Sequence, residues 1–209
     1  IKAPITAIAL NCENNRDERS RYLLVENRKV ENYVDMALYY ARMDAVYKDY
    51  MIAETNLQEV AQQVLLQNKY YLIQSHVKAE VACPDTVYSD KKWIAFILNQ
   101  LIQNSVKYGR SEGTHIQIVT KKTKSGVLLR VKDDGIGIPK EEIPRIFEKG
   151  FTGTNGRNRE RSTGMGLYLC RKLCDKLNIE IRAESAEGKG TEIILMFPVS
   201  DYLTGYRET

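Results

Sequence analysis

Val131-Lys132-Asp133-Asp134-Gly135-Ile136-Gly137-Ile138-Pro139 follows an apolar, β-like run that opens at Val127. The run delivers a carboxylate to the end of a strand, where Asp133 can accept a hydrogen bond from an exocyclic amine. Gly135 and Gly137 follow at alternate positions, and without a Cβ they let the backbone lie close to a flat ring. The same residues also suit an ordinary strand-to-helix turn, because Asp-Gly pairs are common turn signals. The flanking segments decide between the two.

Upstream, Asp90 can cap a helix running to about Tyr108, with Trp93, Ile94, Ile97, Leu98, Leu101 and Ile102 as its apolar positions. Gln100, Asn104 and Lys107 recur on that helix at spacings of four and three and so share one face. Neutral amides beside Ile97, Leu101 and Val106 suggest a coordinating role, although a solvated polar face gives the same pattern. Asn104 can offer an oxygen to Mg²⁺, a hard cation that keeps several waters and leans on phosphates. Lys107 can reach a phosphate as a point charge.

Downstream, Gly150-Phe151-Thr152-Gly153-Thr154-Asn155-Gly156 is followed by Arg157, Arg159 and Arg161 and ends in Ser162-Thr163-Gly164-Met165-Gly166-Leu167 at a helix start. Free backbone N–H groups at a helix N-terminus make an anion site, and the arginines add positive charge nearby. A flexible surface loop is the plainer reading, but loops this long inside compact domains are more often functional or disordered.

The remaining chain reads in order. Ile1, Ile5, Ile8 and Cys12, then Val30, Val34, Ala37 and Ala41, fall at coiled-coil spacings on two helices, with Asn11 to Ser20 as their connection. Pro4 should kink the first helix. Two such helices bury little alone, so the expectation is dimerisation into a four-helix bundle; packing on the chain's own globular part is the alternative. A second domain begins near residues 49–55. It starts with a helix from Leu57 to Gln67 capped by Asn56, then a strand from Val77 to Ala82. Strands at His115 to Thr120 and Val127 to Val131, a helix at Leu167 to Leu177, and strands at Ile179 to Ala183 and Glu192 to Phe197 complete it. Strands and helices without strict alternation point to an α+β layered sandwich.

Composition bounds the function. The 209 residues are 28% charged and 43% hydrophobic, an ordinary balance for a chain with a real core. A net charge of +4 is too mild to argue for nucleic acid but suits a polyanionic small ligand or an acidic partner surface. Four cysteines without metal-type spacing and only two histidines make a zinc site improbable, and reduced buried thiols are expected. The chain opens without Met inside a helical pattern, so it is expected to be a piece of a longer protein, one that a membrane segment could precede.

QLIQNSVKY, DDGIGIP, IFEKGFTG, STGMGLYL and GKGTEIILMF resemble, in this order, the N, G1, F, G2 and G3 boxes of sensor histidine kinases in the GHKL superfamily. IKAPITAI resembles the tail of an H-box. FILNQLIQNSVKY, ENYVDMALYYAR and EKGFTGTNGR are similar to a Gram-positive subgroup associated with bacitracin and antimicrobial-peptide responses. The resemblance implies an antiparallel helical hairpin over residues 1–52, dimerising into a four-helix bundle. A two-layer α/β sandwich of the histidine-kinase ATPase type then covers 53–209. It implies ATP and Mg²⁺ as cofactors, with Asn104 as the metal ligand and Gln100, Asn104 and Lys107 as the catalytic set. Lys107 and Tyr108 would approach the phosphates and ribose, Asp133 would read the adenine amine, and Gly135 and Gly137 would shape the pocket. Phe147 and Phe151 would anchor a lid, Gly164 and Gly166 would cradle phosphates, and Thr191 would close the adenine site through water. Ile138, Thr152, Gly153, Arg161, Thr163, Met165 and Leu167 complete the nucleotide set.

The implied reaction passes the ATP γ-phosphoryl to a histidine nitrogen and then to an aspartate of a response regulator receiver domain. The implied partners are a second copy of the chain, that regulator and a peptide-sensing ABC transporter. The implied place is the cytoplasmic side of a membrane-anchored protein. The acceptor histidine, expected two residues before Ile1, is absent; His76 and His115 lie outside any H-box context, so these residues should bind ATP without phosphorylating themselves. Ala3 stands where many relatives carry a threonine, which puts phosphatase chemistry in doubt, and Ser162 replaces a common glycine. Two other classes stay open: a water-hydrolysing ATPase of the same superfamily, weakened by Gln100 one turn before Asn104, and a non-catalytic dimerising or regulator-docking module.

Overall fold

A computed structural model describes residues 3–14, 17–42, 50–154 and 163–199. Ile1, Arg157, Arg159, Arg161 and Ser162 lie outside the described residues. Two helices come first, α1 (Ala3–Asn14) and α2 (Glu18–Arg42). They pack on each other, with Asn27 Nδ2 donating to the Ile5 carbonyl at 2.8 Å. The expected connection from Asn11 to Ser20 is shorter than its composition suggests, because α1 continues through Asn14 and α2 resumes at Glu18. Pro4 falls in the first described turn of α1.

The residues of α2 buried within the chain form a different stripe from the expected dimer seam. Val30 is exposed and Ala37 faces solvent, whereas Val25, Asn32, Met36 and Tyr39 are buried. These four repeat at seven, four and three, a second helical stripe, and α2 lays it on the sandwich. Tyr39 packs edge-on to Trp93 with ring centroids 4.8 Å apart.

Next come β1 (Ala53–Asn56), α3 (Leu57–Gln67), α4 (Lys69–Gln74), β2 (Val77–Ala82) and β3 (Thr86–Ser89). Asn56 caps α3 as its sequence predicts, its side chain accepting from the Glu59 N–H at 3.1 Å. Then follow α5 (Lys91–Lys107), β4 (Thr114–Thr123), β5 (Gly126–Asp133), α6 (Gly166–Lys176), β6 (Glu180–Ala186) and β7 (Gly190–Pro198). Asp90 caps α5 by accepting from the Lys92 and Trp93 N–H groups.

β2, β4, β5, β7 and β6 form one five-stranded sheet in that order; β2 and β4 run parallel and every other pair antiparallel. β1 and β3 make a separate two-stranded ribbon. The large sheet turns one face to α3, α5 and α6. Residues of that face alternate along each strand: Ile116 and Ile118 on β4, Leu129 and Val131 on β5. Against them lie Ile94, Ile97, Leu98 and Leu101 of α5 and Leu169 and Leu173 of α6, all buried. This is the α+β two-layer sandwich expected from the sequence. The four cysteines are free and buried, and burial pushes the Cys83 thiol up to about 11 and the Cys174 thiol up to about 12.

Candidate nucleotide site

Asp133 ends β5 on the same face as Leu129 and Val131, so the strand period aims its carboxylate into the layer between sheet and helices. An unpaired carboxylate there would be costly, and it is well supplied with donors. Oδ1 accepts from the Gly135 N–H at 3.0 Å and the Thr191 N–H at 3.2 Å, and Oδ2 accepts from Ser105 Oγ at 2.8 Å. Burial raises the Asp133 pKa above the usual carboxylate range, while the hydrogen bonds from Ser105, Gly135 and Thr191 oppose that rise. Thr191 meets Asp133 because β7 pairs with β5 in the register Asp133↔Thr191.

Asp133 opens onto a cleft of about 1570 Å³, counting its wide mouth. α5 supplies Gln100, Asn104, Ser105 and Lys107 to its wall, and Tyr108 joins them just past its end. The turn after β5 supplies Gly137 and Ile138, and β7 supplies Thr191. Phe151, Thr152, Gly153, Thr163, Gly164, Gly166 and Leu167 close a further side. Residues far apart in sequence therefore converge on one space. Gly137 has φ +71°, and a Cβ there would lie 2.0 Å from the Ala186 carbonyl oxygen, so only glycine fits this close crossing. Gly164 has φ +64° and runs against the Gly150 backbone, which its carbonyl also holds by a 3.1 Å hydrogen bond from the Gly150 N–H.

Three expected site residues stand behind the wall rather than in it. Gly135 sits under Asp133, its N–H given to the carboxylate. Phe147 packs against the core, with the Arg171 guanidinium 4.8 Å from its ring centroid. Met165 precedes α6 and packs against the same core. Arg161 lies outside the described residues. Glu59 is remote from the cleft and exposed, with Lys91 Nζ 3.8 Å from its carboxylate. His115 pairs with Glu80 at the surface, Nε2 to Oε1 3.2 Å.

Sequence reasoning missed two groups. Ser105 occupies a buried phase of α5 among apolar residues, and that position was its only signal. Val25, Lys29, Asn32, Tyr33 and Met36 of α2 also line the cleft. Asn32 Nδ2 donates to Gln103 Oε1 at 2.7 Å, and its Oδ1 accepts from Gln100 Nε2 at 2.5 Å and Asn99 Nδ2 at 3.3 Å. At the edge of the cleft, Glu142 Oε1 accepts from the Thr154 N–H at 2.8 Å and from Thr154 Oγ1 at 2.5 Å.

The donor set suits a magnesium nucleotide. Among the described residues no cluster of three histidine, cysteine or carboxylate groups could hold a metal by itself. Asn104 offers one amide oxygen beside Lys107 in the cleft wall, which fits a hard cation that takes its other ligands from water and phosphates.

The fold and this cleft define a class. Residues 89–201 match the family model described as histidine kinase-, DNA gyrase B-, and HSP90-like ATPase, and the chain belongs to that family. Its relatives include the sensor protein kinase GraS of Staphylococcus aureus strain JH1, 36% identical over 207 residues, which cover 96% of this chain and 58% of GraS. The sensor histidine kinase YxdK of Bacillus subtilis strain 168 is 32% identical over 199 residues, 94% of this chain and 61% of YxdK. The chain thus spans about three fifths of the length of these curated relatives. Among solved structures, the catalytic domain of histidine kinase ThkA superposes with a TM-score of 0.61 at 26% identity, covering 71% of this chain and 97% of that one. ThkA in complex with the response regulator protein TrrA superposes with a TM-score of 0.63 at 20% identity, covering 96% of this chain and 59% of that one. At that identity the second likeness speaks for the fold alone.

Proposed function

We propose that this chain is the kinase core of a sensor histidine kinase: a dimerising hairpin over residues 1–52 and an ATP-binding sandwich over 53–209. The observation that carries the reading is the convergence of Asn104, Asp133 and the Gly164–Gly166 turn on one cleft. Asp133 accepts the adenine amine, and Thr191 and Ile138 bound the ring. Lys107 and Tyr108 take the phosphate and ribose side, and the N-terminus of α6 offers its first N–H groups to the phosphates. Asn104 holds Mg²⁺, which when bound offsets phosphate charge during transfer. Phe151 closes the base of the lid, with the Arg145 guanidinium 4.6 Å from its ring centroid.

The acceptor is a histidine imidazole upstream of the hairpin, outside these residues. Its neutral nitrogen attacks the γ-phosphorus as the bond to the β–γ bridging oxygen breaks, releasing ADP. The proton of the attacking imidazole passes to solvent. The phosphoryl group then moves to a carboxylate of a response regulator, the partner class that the sequence resemblance implies. The similarity to GraS and YxdK supports a sensor role, and the sequence resemblance makes a membrane-anchored protein and a peptide-handling ABC transporter as source of signal the expectation.

A water-hydrolysing ATPase needs a base for the attacking water. Gln100, one turn before Asn104, carries no ionisable group, and its amide nitrogen is donated to Asn32. This favours the kinase. The test is full-length protein incubated with γ-labelled ATP: an acid-labile, base-stable label supports the reading, and its absence alongside steady phosphate release supports the ATPase.

A further inference from the structure

The geometry points to Ser105 as the positioning residue that sets nucleobase specificity, by leaving the Asp133 carboxylate a single open acceptor site for one exocyclic amine. An ionised carboxylate has about four lone-pair sites, two on each oxygen. Gly135 and Thr191 N–H groups fill both sites of Oδ1. The Ser105 hydroxyl fills one site of Oδ2 at 2.8 Å. What remains is one acceptor site on Oδ2, in a carboxylate anchored at both of its oxygens.

The placement of Ser105 explains why it is well suited to this. Both partners are buried, Ser105 at 5% and Asp133 at 9% exposure, so water competes poorly for the bond. Ser105 directly follows Asn104, and consecutive helical residues point about 100° apart. One turn of α5 therefore serves two ends of the nucleotide, Asn104 toward the phosphates and Ser105 toward the base. Without the hydroxyl, Oδ2 has two open sites, and the carboxylate keeps only its Oδ1 anchors. A ring that places a carbonyl oxygen at this point meets an acceptor facing an acceptor and is rejected.

The inference rests on Asp133 reading the base, and the experiment separates the two. ATP and purine riboside 5′-triphosphate, which differ only by the exocyclic amine, are titrated with Mg²⁺ into the wild-type chain, Asp133→Asn and Ser105→Ala by calorimetry. The expected result is that Ser105→Ala weakens ATP about tenfold, as for a bond to a charged group, and leaves the amine-free nucleotide unchanged. Equal weakening of both nucleotides shows a purely structural role and overturns the proposal; so does unchanged ATP affinity. If wild type and Asp133→Asn alike fail to distinguish the two nucleotides, the reading of Asp133 falls first and Ser105 with it. The thermal midpoint of Ser105→Ala, measured on the same samples, should stay within a few degrees of wild type.

Discussion

Asn32 on α2 and Gln100 on α5 are 68 residues apart in the chain, yet a 2.5 Å hydrogen bond joins their side chains. Gln103 and Asn99 bind the same Asn32 amide, and Asn68 Nδ2 donates to Asn99 Oδ1 at 2.8 Å, so five amides link the hairpin to the sandwich. Buried amides of this kind are held in place by what they would lose on separation.

Asn32→Leu keeps the branched outline of the side chain and removes every hydrogen bond to α2 in this network. Leaving the facing amides unpaired costs about 2 kcal/mol. For a chain of this size that lowers the thermal midpoint by roughly 4–8 °C, measured by calorimetry. Hydrogen exchange should quicken in α2 while the five-stranded sheet keeps its protection.

Asn104→Ala tests the metal position. Asn104 is half-buried in the cleft wall, and truncating it opens space toward the cleft rather than in the core. The expected outcome is near-complete loss of histidine labelling in the full-length protein with the thermal midpoint unchanged. Retained labelling removes Asn104 from the magnesium site.

Asp133 predicts a pH dependence. A proton on this carboxyl would sit among three groups that already donate to it, and burial raises its pKa, with nearby Asp134 raising it further against the three hydrogen bonds. ATP affinity should therefore fall on acidification at a pH above that of an exposed carboxylate. Purine riboside 5′-triphosphate, with the same phosphates, should show no fall of this origin. Unfolding is not the cause: a raised folded pKa means the folded chain holds this proton more tightly than the unfolded one. The group thus favours folding at low pH, and its contribution fades as pH rises through the folded pKa.

Gly137→Ala and Gly188→Ala separate backbone strain from collision. Both glycines have positive φ, +71° and +75°, but a Cβ at Gly137 meets the Ala186 carbonyl oxygen at 2.0 Å and one at Gly188 meets nothing within 4 Å. Gly188→Ala should cost only the left-handed penalty of roughly 1–2 kcal/mol. Gly137→Ala should cost clearly more and weaken ATP binding, because the turn beside Asp133 must shift. Urea denaturation of the two variants gives the comparison.

Local signals made most of the sandwich legible. Asn56 and Asp90 cap the helices they precede, and Val77 to Ala82 alternates as strand β2 does. The β1–β3 ribbon was not legible: each strand has four residues, too few for a period, and its stability comes from a distant partner through bonds such as Thr55 Oγ1 to the Ser89 carbonyl at 3.0 Å. In the cleft, motif residues stood out by glycine and amide chemistry. Ser105 and Asn32 did not, because a single small polar residue on an apolar helix face looks the same whether or not a partner awaits it.

The hairpin gives the last prediction. Its buried stripe faces the sandwich, but Ile8, Leu23 and Val30 remain 47%, 50% and 49% exposed, and Tyr22 and Tyr33 are also exposed. So much apolar surface on two adjoining helices is unusual for a surface that meets only water. A second hairpin packed there completes a four-helix bundle, with Val30 in the seam its spacing suggested. Leu23→Glu combined with Val30→Glu places two charges in that seam on each copy, and desolvating four unpaired carboxylates exceeds what the apolar contacts return. Light scattering should show the mass fall from dimer to monomer. Mg-ATP affinity should stay as it was, since neither side chain lines the cleft, and an unchanged mass would show that the copies meet elsewhere.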